Sequence, residues 1–199
     1  MTTQAMCLPT VFLNGKFMPL EDAHISPLDR GFIFGDGVYE VIPFYAGKAL
    51  RLGEHLKRLQ RSLDELEIAN PHSAADWTSQ INELVQRNGG GDIAVYIQIT
   101  RGVAKRDFAP PKGLTQTVFM MANPLPTPKR EIYEKGIACV SLDDNRWLRC
   151  QIKATALLGA VLLKHESNGA GADEAVLFRD GYLTESSASN IAAVKNGVI

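Results

Sequence analysis

Leu56, Leu59, Leu63 and Leu66 recur at steps of three and four through GEHLKRLQRSLDELEI, with polar residues filling the positions between them. That spacing predicts an amphipathic helix opened by Gly53 and closed by Asn70-Pro71. Trp77, Ile81, Leu84 and Val85 predict a second helix over about 75–87, stopped by Gly89-Gly90-Gly91. Elsewhere the apolar period shortens to two or becomes continuous, as strands require. VFLNGKFMPL predicts a hairpin turned at Asn14-Gly15, and EAVLFRDGYLTE another at Asp180-Gly181. From Val38 the pattern reads strand, turn at Ala46-Gly47, strand; DIAVYIQITRG, TQTVFMMAN and GIACVSLDD add three more. DRGFIFG ahead of Val38 reads as a glycine-punctuated bend, and a helix follows Lys153. PLPTPKR, with three prolines, is the best break in the chain.

The order predicts an α+β protein of two lobes: a smaller N-terminal α/β lobe over 1–123, a linker at 124–128 and a β-rich lobe over 129–199. NIAAVKNGVI predicts a strand and an Asn196-Gly197 turn with only two residues beyond it. A return strand is normally longer, so the second lobe is expected to be incomplete and the natural protein to continue.

Composition narrows the function classes. A net charge of −1 over 199 residues gives no footprint for nucleic acid. The apolar run from Ala154 to Leu163 is too short to cross a bilayer. No basic region leads into an apolar core at the N-terminus, so no leader is expected. Cys7, Cys139 and Cys150 are odd in number and read as free thiols in a reducing compartment, the cytoplasm. His24, His55, His72 and His165 are scattered, so no metal site is expected, and no nucleophile-elbow serine is present. FGDGVYE lacks the third glycine of a dinucleotide-binding turn and precedes a strand.

Four places carry candidate chemistry. Lys153 opens the run from Ala154 to Leu163. Its stem can pack while the charge reaches water, or desolvation can free the amine to form a Schiff base with a carbonyl. Arg58, between Leu56 and Leu59, is either a solvated flank or an inward fork for phosphate or carboxylate. Glu185 in TESSASN stands where a buried strand meets a loop and needs a partner, such as a protonated ring nitrogen; the hydroxyls around it read as turn caps. Arg101, Lys105 and Arg106 are either a solvated cluster or a loop-borne clamp for a carboxylate. A desolvated lysine, an arginine for phosphate and a buried acid are together what pyridoxal phosphate requires.

DRGFIFGDGVYEV, EHLKRL, RWLRCQIKATALLGAVLLK and DEAVLFRDGYLTESSASNI resemble, in this order and along nearly the whole chain, the fold-type IV pyridoxal-phosphate enzymes, and within them the D-amino acid branch. The resemblance implies that Lys153 is the Schiff-base lysine, Arg58 a phosphate ligand and Glu185 the partner of the pyridine nitrogen. It implies that Tyr39 and Arg106 sit beside the substrate carboxylate. It implies a homodimer with loops donated by the partner, and an aminotransferase working between a D-amino acid such as D-alanine and a 2-keto acid. Elimination to pyruvate, as in the lyase branch, and a non-catalytic interaction module are the alternatives. The chain departs from the pattern at Phe108, where a histidine is usual two residues after the arginine, and at Ser186, where glycine is usual and crowding is expected. The family's later phosphate-cradling loop is missing, so the chain alone is expected to hold cofactor poorly.

Overall fold

The structure is a computed structural model and describes residues 7–199. The first six residues of the stretch read above for a leader lie outside the described residues. The chain divides into two units. The first runs to Pro126 and takes back Gln151–Ala156; the second holds Thr127–Cys150 and Leu157–Ile199. The sequence reading placed 129–199 in one lobe; the segment carrying Lys153 instead belongs with the first unit, because Ile152 and Ala154 are buried in its core.

In the first unit, β1 (Thr10–Leu13), β2 (Lys16–Pro19), β3 (Gly37–Tyr45), β4 (Lys48–Ala49), β5 (Ile93–Thr100) and β6 (Thr117–Pro124) form one sheet in the order β2-β1-β6-β5-β3-β4. All its pairs are antiparallel, and β1–β2 and β3–β4 are joined by two-residue turns. Alternation along β3 sends Val38, Glu40, Ile42 and Phe44 to a buried face, while Tyr39 and Val41 are less buried. Two helices contribute to that core, α2 (Leu52–Glu65) through Leu59 and Leu63 and α3 (Ala74–Arg87) through Trp77, Ile81 and Leu84. Ser73 and Asp76 start α3 with a reciprocal capping box.

Ahead of β3 lies a helix the sequence reading missed. It is α1 (Arg30–Phe34), five residues started by the Asp29 carboxylate on Gly31 N and ended by Gly35 at φ 65°. The left-handed cap suits glycine.

The second unit pairs β7 (Cys139–Asp143) parallel to β8 (Glu174–Arg179), with α5 (Leu158–Gly169) intervening in sequence and packing on them. β9 (Tyr182–Ser186) returns antiparallel from the Asp180-Gly181 turn. Leu163, Ala175 and Leu177 form its small core. A further short helix, α4 (Arg130–Lys135), starts directly after the proline-rich stretch. The strand expected in NIAAVKNGVI is not formed; only Lys195 and Val198 pair, across the Asn196-Gly197 turn. The first unit, expected to be the smaller lobe, holds the larger sheet of the described residues. No helix among the described residues is long and apolar enough to cross a membrane.

Candidate functional site

Lys153 is positioned by its main chain. Residues 153–155 lie along β3 on the same edge as β4: Tyr39 N donates to Lys153 O at 2.9 Å and Thr155 N to Gly37 O at 3.0 Å, around a Val38–Ala154 bridge. Lys153 N donates to Ser62 Oγ of α2 at 3.2 Å. Ile152 and Ala154 are buried on either side, and the half-buried lysine sends Nζ over the Tyr39 ring, 4.2 Å from its centroid. That contact is a cation–π interaction while the amine is charged. Tyr39 in turn stacks on Tyr96, with ring centroids 5.8 Å apart. Burial, reinforced by the neighbouring Tyr39, pushes the Tyr96 phenol up to about 12, and its hydroxyl donates to Gln98 Oε1 at 2.7 Å.

Arg58 is fixed from the neighbouring strand position. Glu40 is fully buried, which a carboxylate tolerates only with partners. Arg58 supplies two, Nε at 2.6 Å and Nη2 at 2.7 Å, and His55 Nδ1 lies 2.9 Å away. His55, Arg58 and Ser62 are spaced by three and four along α2, so one stripe of that helix serves both Glu40 and the Lys153 main chain. The hydrogen bonds that Arg58 donates to Glu40 hold its pKa above the ordinary value. The Arg58 side chain is 41% exposed, and its Nη1 makes no hydrogen bond to a described residue. An oriented guanidinium with a donor to spare fits an anionic group such as phosphate.

In the second unit, Glu185 accepts from Arg146 Nη1 at 2.7 Å. Arg146 is itself held by Asp144, through Nε at 2.9 Å and Nη2 at 3.1 Å. Asp144 also takes Thr184 Oγ1 at 2.8 Å and an ion pair from Arg179 at 3.1 Å. The hydrogen bonds from Arg146, then that from Thr184, outweigh burial and hold the Asp144 carboxyl down to about 2. Thr184 and Glu185 are consecutive, yet both reach this network. A regular strand would point them to opposite faces; the register shift between Leu177 and Phe178 is the bulge that permits it. Glu185 keeps 43% of its side chain exposed, so its second oxygen can reach a ligand.

A model of the class IV amino-transferases matches residues 37–199. The chain belongs to the class IV aminotransferases. It is 41% identical over 189 residues to the D-alanine aminotransferase of Bacillus licheniformis, covering 95% of this chain and 66% of that protein. It is 38% identical over 192 residues to the D-alanine aminotransferase of Listeria monocytogenes, at 95% and 66% coverage. The chain thus spans just under two thirds of the length of these relatives. Among solved structures, it superposes on a T.th. branched-chain amino acid aminotransferase complexed with N-(5'-phosphopyridoxyl)-L-glutamate with a TM-score of 0.82 and 26% identity, over 90% of this chain and 62% of that one. The Escherichia coli branched-chain enzyme shares the fold at a TM-score of 0.83 and 22% identity, over 90% and 63%.

In this class IV aminotransferase the first unit brings Lys153 and Tyr39 into contact, with Arg58 one strand position away through Glu40; Glu185 belongs to the second unit. Arg106 touches a different set, Phe34 and Phe108. Arg101, grouped with it on sequence, is not part of an exposed clamp: it bonds Asp36 and the Leu66 carbonyl near the end of α2. The buried Ser186 hydroxyl closes the following turn, donating to Ser189 O and accepting from Ser189 N. Ser187 and Ser189 donate to the Glu174 carboxylate. The residues that sequence reasoning missed are those that hold the named ones: Glu40, His55, Asp144 and Arg146. Glu40 had a signal, a lone carboxylate at an inward position among Val38, Ile42 and Phe44.

Proposed function

We propose that the chain carries the working residues of a pyridoxal-phosphate-dependent aminotransferase that moves an amino group between a D-amino acid such as D-alanine and a 2-keto acid. Membership of the class IV aminotransferases and the named D-alanine aminotransferase relatives support this reading. The observation that carries it is the pinned Lys153, its Nζ set over Tyr39 beside an Arg58 already oriented by Glu40.

Bound pyridoxal 5'-phosphate supplies an electron sink that stabilises the carbanion left when an amino acid loses its Cα proton. Lys153 Nζ would hold the aldehyde carbon, Arg58 the phosphate and Glu185 the ring nitrogen. With its amine uncharged, Lys153 Nζ would take the substrate Cα proton and give it back, serving as base and then acid. The Tyr39 ring limits where Nζ can swing. The Glu185 carboxylate, oriented by Arg146, favours a protonated ring nitrogen. Arg106 is read as the cation for the substrate carboxylate. The working form is read as a homodimer; the exposure of Phe32, Phe108 and Leu28 in the first unit supports an association surface.

The test is covalent trapping. The protein is incubated with pyridoxal phosphate, reduced with borohydride and mapped by peptide mass. The label is expected on Lys153 and lost in Lys153→Ala. A label on Lys164, or an undiminished yield in Lys153→Ala, would overturn the assignment.

A further inference from the structure

Residues 103–108 form an arch fastened at both ends. At one end Val103 pairs with Asp29, Arg30 N donates to Gly102 O at 2.9 Å and Ala104 N to Leu28 O at 3.3 Å. At the other end the polar fastening is the Arg30 side chain, and the Phe108 ring also meets Phe34 with centroids 5.6 Å apart. Arg30 sends Nη1 to Asp107 O at 2.6 Å and Nη2 to Phe108 O at 3.2 Å, while its Nε is taken by Asp36 at 2.7 Å. Arg30 is only 4% exposed. Burying a guanidinium is costly, and this one is compensated on three sides: an ion pair, two carbonyls, and the Phe34 ring 4.7 Å from its central carbon.

Asp36 is anchored in its turn. Burial pulls its pKa up, but the bonds from Arg101 and Arg30 outweigh this and hold it low. Arg101 runs on to the Leu66 and Glu67 carbonyls that follow α2. A continuous polar chain therefore links the end of α2, through Arg101, Asp36 and Arg30, to the main chain of the arch. Between the two fastenings stands Arg106, exposed, with Phe34 and Phe108 at 5.6 and 5.8 Å from its guanidinium. Both rings belong to the same assembly: Phe34 lies under Arg30, and the Phe108 carbonyl is one of the two that Arg30 holds.

We propose that Arg30 is a positioning residue for the substrate-binding arch, setting where Arg106 presents its charge; this rests on the reading of Arg106 as the carboxylate ligand. Lysine at position 30 could keep the charge toward Asp36 but cannot serve three acceptors with one fork. Arg30→Lys should therefore loosen the arch and leave the reacting amine alone.

The experiment has two readouts. Tryptic cleavage after Lys105 and Arg106, in the folded protein and scaled to cleavage elsewhere, reports the arch without any catalysis. It is expected to rise about tenfold or more in Arg30→Lys, since a displaced loop-end bond of this kind governs local opening. In the pyridoxal-phosphate-loaded enzyme, KM for the amino acid and keto acid should rise about tenfold with kcat nearly unchanged, as loss of uniform substrate binding requires. Arg30→Lys should add nothing further to KM in an Arg106→Gln background. Asp36→Asn, which releases the guanidinium without removing it, should raise the same cleavage to a smaller extent and serves if Arg30→Lys does not fold. Unchanged cleavage in both variants, or a KM effect of Arg30→Lys that persists in full without Arg106, would overturn the proposal. If Arg106→Gln by itself leaves KM unchanged, the carboxylate reading of Arg106 falls and takes the substrate half of the proposal with it, while the cleavage result still decides whether Arg30 holds the arch.

Discussion

Replacing Glu40 by glutamine tests the physical basis of the first-unit site without touching the amine or its neighbours in sequence. Glu40 is fully buried and accepts two hydrogen bonds from Arg58, with His55 beside it. Glutamine keeps one carbonyl oxygen but turns an NH2 group toward a donor, so one charge-assisted bond is lost and a buried repulsion is created. A hydrogen bond to a charged group contributes about 1.5–3 kcal/mol. Breaking a fully buried ion pair costs about 3–5 kcal/mol, but Arg58 is 41% exposed and water can take its released donors. The expected loss is therefore about 2–3 kcal/mol of first-unit stability. The protein has two tryptophans, Trp77 in the first-unit core and Trp147 in the second. In a Trp147→Phe background, Trp77 fluorescence during urea unfolding reports the first unit alone. Arg58→Ala should make a comparable loss, and the double variant should cost at least about 1 kcal/mol less than the sum, because the two side chains share one interaction. Additive losses, or a Glu40→Gln effect below about 0.5 kcal/mol, would show that Arg58 is not oriented by Glu40.

Two further outcomes are expected. Asp144 titrates near 2 against an ordinary value of 3.8, so its stabilising effect is complete above about pH 4 and fades as pH falls through about 2; the stability gap between the wild type and Asp144→Asn, measured by urea unfolding at several acid pH values, should narrow over that window. Gly102 sits at φ +107°, and an added Cβ would run into the Thr115 carbonyl, so Gly102→Ala should lower first-unit stability by at least about 1–3 kcal/mol in the same fluorescence assay.

Sequence pattern reached furthest where structure is decided locally. The Asn14-Gly15 and Asp180-Gly181 turns mark their hairpins because both residues must adopt positive φ, and these do. The leucine spacing in 53–66 exposes α2 because one stripe of it is buried. α1 escaped because its five residues contain no period to detect and its start depends on one carboxylate. The C-terminal strand was misjudged for the opposite reason: residues 190–194 have strand-like composition, but no described strand pairs with them. At the candidate site, the apolar flank of Lys153 leaves packing and chemistry both open, and only the family resemblance gives the residue a role. The partners that orient Arg58 and Glu185 were not, since Glu40 and Arg58 lie 18 positions apart and Arg146 and Glu185 39 apart. The cluster of Arg101, Lys105 and Arg106 shows the limit most directly. Adjacent charges in sequence separate into an internal brace and an exposed tip once Asp36 claims one of them.

The bonds that fix position 153 all use its peptide group: its oxygen accepts from Tyr39, its nitrogen donates to Ser62, and the flanking Val38–Ala154 bridge is main-chain too. None depends on which side chain stands there. The scaffold consequently specifies a location and a departure vector, and leaves the functional group interchangeable. Cysteine alkylated to an aminoethyl thioether, or an unnatural amine of altered length, could be installed at that address without refolding its surroundings, which makes this position a natural port for redesigned carbonyl chemistry.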